Sequence, residues 1–516
     1  MKTLKEVINN NAQRYGDRTA FVFEGTSHTF GEVNRRINSL LNALTDRGVQ
    51  KGDRVGILAY NCPQCFEAFG LAKAGVVCVP LNYRSVGREL AYLINNSEIN
   101  TLLLGSEFVD VVTSVRPQLD GISDFICLDE QVEGMLNYEQ LIEDYPPDEP
   151  AEDVAPDDPA ALYYTSGTTG FPKGAIHTHR SLLAEIAVHE ESFSTDDVVL
   201  CVMPFFHVGG SAAHLFPAFT YGATCVIHRA FDETAVLEAI DKHKITYVGL
   251  VPAMIIRLLE HPDLEEYDLS SLSTIMYVGA PMPFDALKRG LERFGPVFSQ
   301  LFGQTETLNV AVLRKDDHKL GGSEKEVGRL KSAGKPLGEG EMRIVDNRGR
   351  DVPLGQPGEI LACSDRMMAG YWRMPEETAK TITDGWLHTG DVGRRDADGY
   401  IYLVDRKKDM IISGGENIYS REVEEVLYTH PSILEAAVVG VPDEKWGESV
   451  KAVVMLKEGA QASEEEIIDF CKDHLASYKK PRSVDFRDNL PKTGSGKIKK
   501  GEIREDYWKG EERRIH

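Results

Sequence analysis

Apolar positions along the chain fall into two alternating periods. Phe30, Val33, Ile37, Leu40 and Leu44 recur every three or four residues, the spacing of one helical face, and Gly48 follows where helices commonly stop. Val55, Ile57 and Leu58 then open a short apolar strand after the turn at 51–53. The alternation returns twice: a helical stretch at 65–75 precedes the apolar run 76–81, and another at 88–97 precedes 101–105. Helices alternating with short β-branched runs predict α/β layers around a largely parallel sheet. A proline- and acid-rich stretch, 144–160, reads as an exposed connector between subdomains. A second α/β run follows, with strands expected near 198–203, 224–227, 247–251 and 273–278.

Farther on, the pattern changes character. A strand ending near Val404 leads through a charged joint into a glycine-rich loop and a helix. Beyond lie two strands, within 436–441 and 451–456, and a helix whose start carries a capping box, Ser463 with Glu466. The expected organisation is therefore a large N-terminal α/β domain of several subdomains, residues 1–405, joined at 406–409 to a small mobile α+β domain, 406–516. The latter has an ordinary domain size.

The chain's 516 residues, 42% of them hydrophobic, exceed what one core holds. No apolar run approaches the ~18 residues of a membrane span. The first residues lack the apolar stretch of a signal peptide, and the last are neither a prenylation box nor a peroxisomal tripeptide. The cytoplasm is the expected location, with peripheral membrane contact left open and a monomer or homodimer as the expected state. Lys plus Arg number 57 against 81 Asp plus Glu, a net charge of −24, which argues against nucleic acid as a partner. That charge is uneven: from Arg406 onward 20 basic residues nearly balance 22 acidic ones. The basic clusters Lys479 to Arg482 and Lys497 to Lys500 suit a phosphorylated ligand. Cys62 and Cys65 have redox or zinc-knuckle spacing without a second pair, so reduced structural thiols are expected. His177, His179, His189 and His207 lack the spacing that sets two ligands on one helical face, which argues against zinc.

Candidate chemistry concentrates first at Thr165, Ser166, Gly167, Thr168, Thr169, Gly170, Pro172 and Lys173. Glycine and proline exclude a helix there, and the spacing is not that of the familiar phosphate loop, because Pro172 precedes and Gly174 follows the lysine. The physics is nevertheless that of an anion cradle, with glycines exposing N–H groups, hydroxyls donating and one lysine supplying charge. Five further polar islands follow, each expected just after a strand. They are 203–210 with His207, 277–283 with a Gly-Ala-Pro turn, 301–307 with Glu306, 385–393 with Asp391, and 406–409 with Arg406. Finally, 491–500 exposes Lys497 in a Gly-Ser-Gly loop.

Together these islands resemble the adenylate-forming superfamily, closest to fatty-acid and aryl acyl-CoA synthetases. The strongest motifs are the run 164–174, His388-Thr-Gly-Asp391, and Pro491 through Lys497. The resemblance implies an AMP-forming acid–CoA ligase. A carboxylate, most simply a medium- or long-chain fatty acid, attacks the α-phosphate of Mg-ATP, and coenzyme A then displaces AMP. The alternatives are an aryl or alicyclic acid, or a stand-alone adenylation enzyme loading a carrier protein.

Residue by residue, the resemblance implies that Thr165 to Lys173 hold the β- and γ-phosphates. Gly279, Ala280 and Pro281 flank adenine, while Gly303, Gln304 and Thr305 line the nucleotide. Glu306 takes Mg²⁺, and Asp391 and Arg406 bind ribose. Lys497 bridges carboxylate and α-phosphate as an electrostatic catalyst, with Glu306 and His207 beside it. Phe206, His207, Gly210, Val278 and Phe302 would form an apolar acyl pocket. Phe302 stands where the family often has tyrosine, which removes a hydroxyl. The segment from Pro204 to His207 carries no acid, and an unpaired buried ammonium costs several kcal/mol, so an amino-acid substrate is disfavoured. Lys408 is the implied hinge. Rotation there would exchange Lys497 for Ser413, Gly414, Gly415, Glu416 and Asn417, with Trp446 and Lys479 meeting CoA.

Overall fold

The computed structural model describes residues 1–165, 172–280, 282–414, 416–494 and 497–509. Among these, strands gather into four sheets. The helix expected from the first apolar stripe runs Phe30–Asp46, and Thr29 with Glu32 closes its start as a capping box. Its inner face, including Phe30, Val33, Ile37, Leu40 and Leu44, is fully buried.

An eight-stranded sheet has a parallel centre, Pro159–Tyr164, Val77–Pro80, Arg54–Leu58, Ile99–Leu104 and Asp124–Cys127. A nine-stranded sheet is parallel through Phe298–Gln304, Thr274–Tyr277, Tyr247–Leu250, Val198–Cys201, Thr224–Ile227 and Thr19–Phe23. Antiparallel strands close both edges of the nine-stranded sheet and one edge of the eight-stranded sheet, whose other edge is the short parallel strand Leu136–Asn137. One core cluster spans the two sheets, joining Val55, Cys78 and Tyr163 of the first to Val199, Tyr247 and Met276 of the second. Phe66, Phe69, Phe216 and Phe219 fill the space between, with ring centroids as close as 4.3 Å. Each such ring contributes roughly 1.5–3 kcal/mol by its burial.

The connector 144–160 is largely exposed but is strapped down rather than loose. Asn42 donates to the carbonyls of Pro146 and Asp148, Asn38 to that of Pro147, and Lys5 to those of Pro150 and Glu152. Proline-rich backbone cannot pair with itself, so side-chain amides on the first helices take its acceptors. Glu149 also reaches the fully buried Lys73 at 2.8 Å.

A third sheet is antiparallel, built on Glu341–Val345, Gly358–Cys363, Trp386–Arg395 and Ile401–Arg406. The chain then enters a fourth, whose long hairpin Ile433–Asp443 and Gly447–Leu456 carries the helices Ser420–Leu427 and Glu464–His474. The capping box of Ser463 and Glu466 is formed. Among the described residues no helix is long and apolar enough to cross a membrane.

Candidate active site

The strands on either side of the glycine- and hydroxyl-rich run are paired with each other. Strands Pro159–Tyr164 and Gly174–Thr178 pair antiparallel, and Thr165 N–H donates to the Lys173 carbonyl at 2.9 Å. Ser166, Gly167, Thr168, Thr169 and Gly170 lie outside the described residues. Lys173 Nζ sits 2.7 Å from Glu377 Oε2 and 5.1 Å from the centre of the Tyr371 ring. Lys173 first, then Lys380, holds the Glu377 carboxyl down to about 2.

Glu306 follows the strand Phe298–Gln304 and is fixed from behind. The Tyr371 hydroxyl donates to Oε1 at 2.8 Å, and Met368 N–H donates to its carbonyl at 2.8 Å. Burial, reinforced by the Glu306 charge, keeps the Tyr371 hydroxyl protonated. His177 Nε2 lies 2.7 Å from the Thr305 carbonyl. Among the described residues no group of three or more His, Cys, Asp or Glu side chains gathers as a metal site. Glu306 could offer one carboxylate contact to a magnesium ion brought in with a nucleotide.

Asp391 and Arg406 face each other across the third sheet, in register, with Nε to Oδ1 at 2.8 Å. Gln304 Nε2 donates to Asp391 Oδ2 at 2.6 Å and to the Thr389 carbonyl at 2.8 Å. Burial opposes the Arg406 charge, but Asp391, Asp409 and Glu306 outweigh it and strengthen the guanidinium. Two of the islands thus lie within strands, not after them: Asp391 inside Trp386–Arg395, and Gly303 with Gln304 at the end of Phe298–Gln304. Register shifts at Val392/Gly393 and Phe302/Gly303 let these strands carry functional side chains. Gly303 is required, because any Cβ would collide with the Leu308 carbonyl.

Lys497 is brought to this group from the far end of the chain. Thr493 accepts its N–H through Oγ1 at 3.1 Å and donates to its carbonyl at 2.7 Å. Arg84 donates to the Gly494 carbonyl at 2.8 Å, and Gly494 also packs on Asn82 and the Phe206 ring. Lys497 Cε lies 3.6 Å from the position a Cβ would take on Gly279, whose φ of +93° demands glycine. Ala280 follows it in the turn, and Pro281 lies outside the described residues. Desolvation, then the Arg406 charge, pushes Lys497 down to about 8, with Asp391 and Glu306 pulling the other way. Lys408 is also lowered to about 8, by burial, and its carbonyl accepts from Arg504 at 3.0 Å. Burial and the Lys497 charge lower His207 to about 3. Its Nδ1 accepts Gly209 N–H at 3.1 Å, so the neutral ring carries its proton on Nε2.

The apolar side of the site differs from expectation at two rings. Phe206 stacks edge-on against Tyr83, centroids 5.1 Å apart, beneath Gly494, and so forms part of the seat for the Lys497 loop. Phe302 packs with Val310, Met342, Ile344 and Ile360 under the third sheet. Alternate residues of a strand face opposite ways. Leu301 therefore joins the inner cluster with Val251 and Val278, while Phe302 turns away. The hydroxyl absent at Phe302 would lie under the third sheet, outside the acyl side. Gly210 lies against the Met203 and Pro204 carbonyls, where a Cβ would collide with both.

Val251 approaches Gly279 on the side of Lys497. Gly249, two residues earlier in the same extended run, faces the same way and lies roughly 6.8 Å deeper. The space where its side chain would stand is filled by the His214 imidazole and Met203 Cε. Tyr247 and Phe193 back the imidazole, with centroids 5.3 and 6.4 Å from it. A buried aromatic floor therefore closes this face of the sheet.

Of the residues expected to meet CoA, Ser413 pairs with Glu416 in a tight hairpin, while Gly414 N–H donates to the Trp446 carbonyl at 2.8 Å and lies against its ring. Gly415 lies outside the described residues. Lys479 is held by Glu422 at 2.7 Å. Sequence reading missed Tyr371, Glu377, Gly249, Val251 and His214. Tyr371 and Glu377 occur within "GYWRMPEE", whose aromatic and acidic residues were the available signal.

A family model described as "AMP-binding enzyme" matches residues 8–372, and one described as "AMP-binding enzyme C-terminal domain" matches 422–497. A feruloyl-CoA synthase of Amycolatopsis sp. is 40% identical over 492 residues, covering 95% of this chain and 96% of the relative. A fatty acid–[acyl-carrier-protein] ligase of Streptomyces coeruleorubidus is 36% identical, covering 100% of this chain and 98% of the relative. The crystal structure of an anthranilate CoA ligase with anthranoyl-AMP superposes with a TM-score of 0.90 at 28% identity, covering 98% and 97% of the two chains.

Proposed function

The chain belongs to the AMP-binding enzyme family, as an AMP-forming acid–thiol ligase, and on that premise we propose that it activates a compact aromatic carboxylic acid, of the hydroxycinnamate type, for transfer to coenzyme A. The observation that carries the acid class is the aromatic floor at Gly249 and His214, two residues along the extended run from Val251, which approaches Gly279 beside Lys497. The feruloyl-CoA synthase among the relatives supports the same reading. A medium- or long-chain fatty acid is the second reading, favoured by the fatty acid–carrier-protein relative.

In the proposed mechanism a carboxylate oxygen attacks the α-phosphorus of Mg-ATP and pyrophosphate leaves. Lys497 stands where two anions must meet, so its ammonium offsets their repulsion and the charge growing on phosphorus, with no proton transferred. Arg406 and Asp391 orient the nucleotide, Asp391 accepting from a ribose hydroxyl. The magnesium that accompanies ATP would be held through Glu306, itself steadied by Tyr371, and would neutralise phosphate charge. His207, neutral with its proton on Nε2, donates one hydrogen bond toward the acid. A thiol then attacks the acyl carbon and AMP departs. We propose 1–405 and 406–516 as the two domains and Lys408 as the pivot that replaces Lys497 by the 413–417 hairpin. We propose the cytoplasm as the place of action.

The test is pyrophosphate release across short, medium and long alkyl acids and aromatic acids, each with and without CoA. The reading expects hydroxycinnamates to give the highest kcat/KM and acyl-CoA to form only with CoA present. A clear preference for long alkyl acids would replace it with the second reading.

A further inference from the structure

His214 differs from the other histidines of the core. His177, His189 and His318 each engage a partner through a ring nitrogen at 2.7 to 3.1 Å, and His179 does so through Nδ1. At His214, 2% exposed, neither Nδ1 nor Nε2 has a hydrogen-bond partner, and the Leu200 carbonyl near the ring completes none. Buried polar atoms are ordinarily satisfied, so an imidazole with two open nitrogens calls for a partner from elsewhere. Burial holds the ring near 3 and hence neutral, leaving one donor and one acceptor.

The local backbone delivers this ring deliberately. His214 lies in a π-turn, Ser211–Leu215, a rare geometry frequent at functional sites. The turn is fixed at its start by Ser211, whose hydroxyl donates to the His207 carbonyl at 3.0 Å and contacts the Tyr163 hydroxyl at 2.8 Å. The short segment 207–215 therefore carries both His207, before the turn and beside Lys497, and His214, within it at the floor. Gly249 is what admits the ring: a side chain there would collide with His214 Nδ1 and lie 2.8 Å from Met203 Cε.

We propose that His214 is a specificity-determining residue that reads a hydroxyl group at the end of the acid remote from its carboxylate. The proposal rests on the acid-activating reading above and names the feature of the substrate that the floor selects. A neutral imidazole can accept the hydroxyl proton on one nitrogen or donate from the other. An acid ending in hydrogen or methyl leaves both nitrogens unpaired and forfeits that gain.

The experiment compares kcat/KM for pyrophosphate release with 4-hydroxycinnamate and with cinnamate, in the full-length wild type and in His214→Phe and His214→Gln. The wild type is expected to favour the hydroxylated acid about tenfold or more, mainly through KM. His214→Phe should bring the ratio near one while keeping cinnamate use within about threefold, since a structural defect would depress both acids alike. His214→Gln, with a donor and an acceptor, should restore part of the preference. A folded His214→Phe that retains the wild-type ratio overturns the proposal, as does a wild type that uses both acids equally. If the phenylalanine variant does not fold, His214→Leu carries the same comparison. If the wild type activates neither aromatic acid, the aromatic reading fails. His214 is then judged by the same ratio on 8-hydroxyoctanoate against octanoate, where loss of preference in the variant supports it and an unchanged ratio overturns it.

Discussion

Lys173 and Glu377, 204 residues apart in the chain, meet with Nζ 2.7 Å from Oε2. The lysine expected to face the β- and γ-phosphates thus has a carboxylate partner of its own. ATP must draw Lys173 from Glu377 or share it. Exposed ion pairs of this kind are weak, so the exchange is easy. Glu377→Gln removes the competing charge and is expected to lower the KM for ATP severalfold at unchanged kcat. Initial-rate kinetics at saturating acid provide the check, and a raised KM would mean that Glu377 positions the lysine instead.

The place of Lys497 against Gly279 makes the two half-reactions separable. Lys497→Ala is expected to slow adenylation by roughly a hundredfold or more, the scale of one lost transition-state charge partner. Thioester formation from a supplied acyl-adenylate should change little. Pyrophosphate release and acyl-CoA formation, measured on one preparation, decide it; equal losses in both steps contradict the role.

The depressed Lys497 sets a pH limb with a definite sign. Its ordinary value of 10.5 is lowered to about 8 by burial and Arg406. The working form is the ammonium, which is complete below about 8 and lost as the pH rises through it. The kcat/KM for adenylation should therefore be level on the acid side and fall above pH 8, approaching tenfold per unit. In kcat the limb should move to higher pH, because the bound polyphosphate stabilises the charge. Thioester formation from supplied adenylate should lack this limb.

At the joint, Asp409 and Met410 N–H both donate to the Arg406 carbonyl, at 2.9 and 3.1 Å, so the chain turns tightly around Lys408. Proline there fixes φ near −65° and removes an N–H. Lys408→Pro is expected to retain pyrophosphate release, since Lys497 already lies at the site, and to lose acyl-CoA formation. Lys408→Ala, with free dihedrals, should keep both. Circular dichroism verifies folding, and a folded proline variant that forms thioester at the normal rate rules out rotation at this residue.

The layered fold was legible because it follows from local periodicity: the stripe from Phe30 to Leu44 and the β-branched runs name their own partners. Lys497, Asp391 and Glu306 could be singled out as candidates through motif and resemblance, and the structure brings their charges near one another. What the sequence concealed depends on direction and long-range pairing. Phe302 lies one residue from Leu301, and that single step sends its ring under the third sheet. Tyr371 reaches Glu306 across 65 residues, a contact no local pattern encodes. The connector's composition gave its exposure correctly, whereas its tethering depends on amides of the first helices, more than a hundred residues away. His214 stands out only once its surroundings are known, because an unpaired imidazole looks like any other histidine in one dimension.

The contact of Gly494 with Arg84, Asn82 and Phe206 has a consequence for how tightly ATP use is coupled to product. An acyl-adenylate is a mixed anhydride that water also cleaves. On the proposed mechanism, seating Gly494 on Arg84, Asn82 and Phe206 while Lys497 is at the site would shelter the intermediate in the arrangement that makes it. If the proposed rotation at Lys408 takes place, futile hydrolysis would be confined to its interval, between withdrawal of Lys497 and arrival of the thiol. The yield of thioester per ATP depends on how briefly the site stands open.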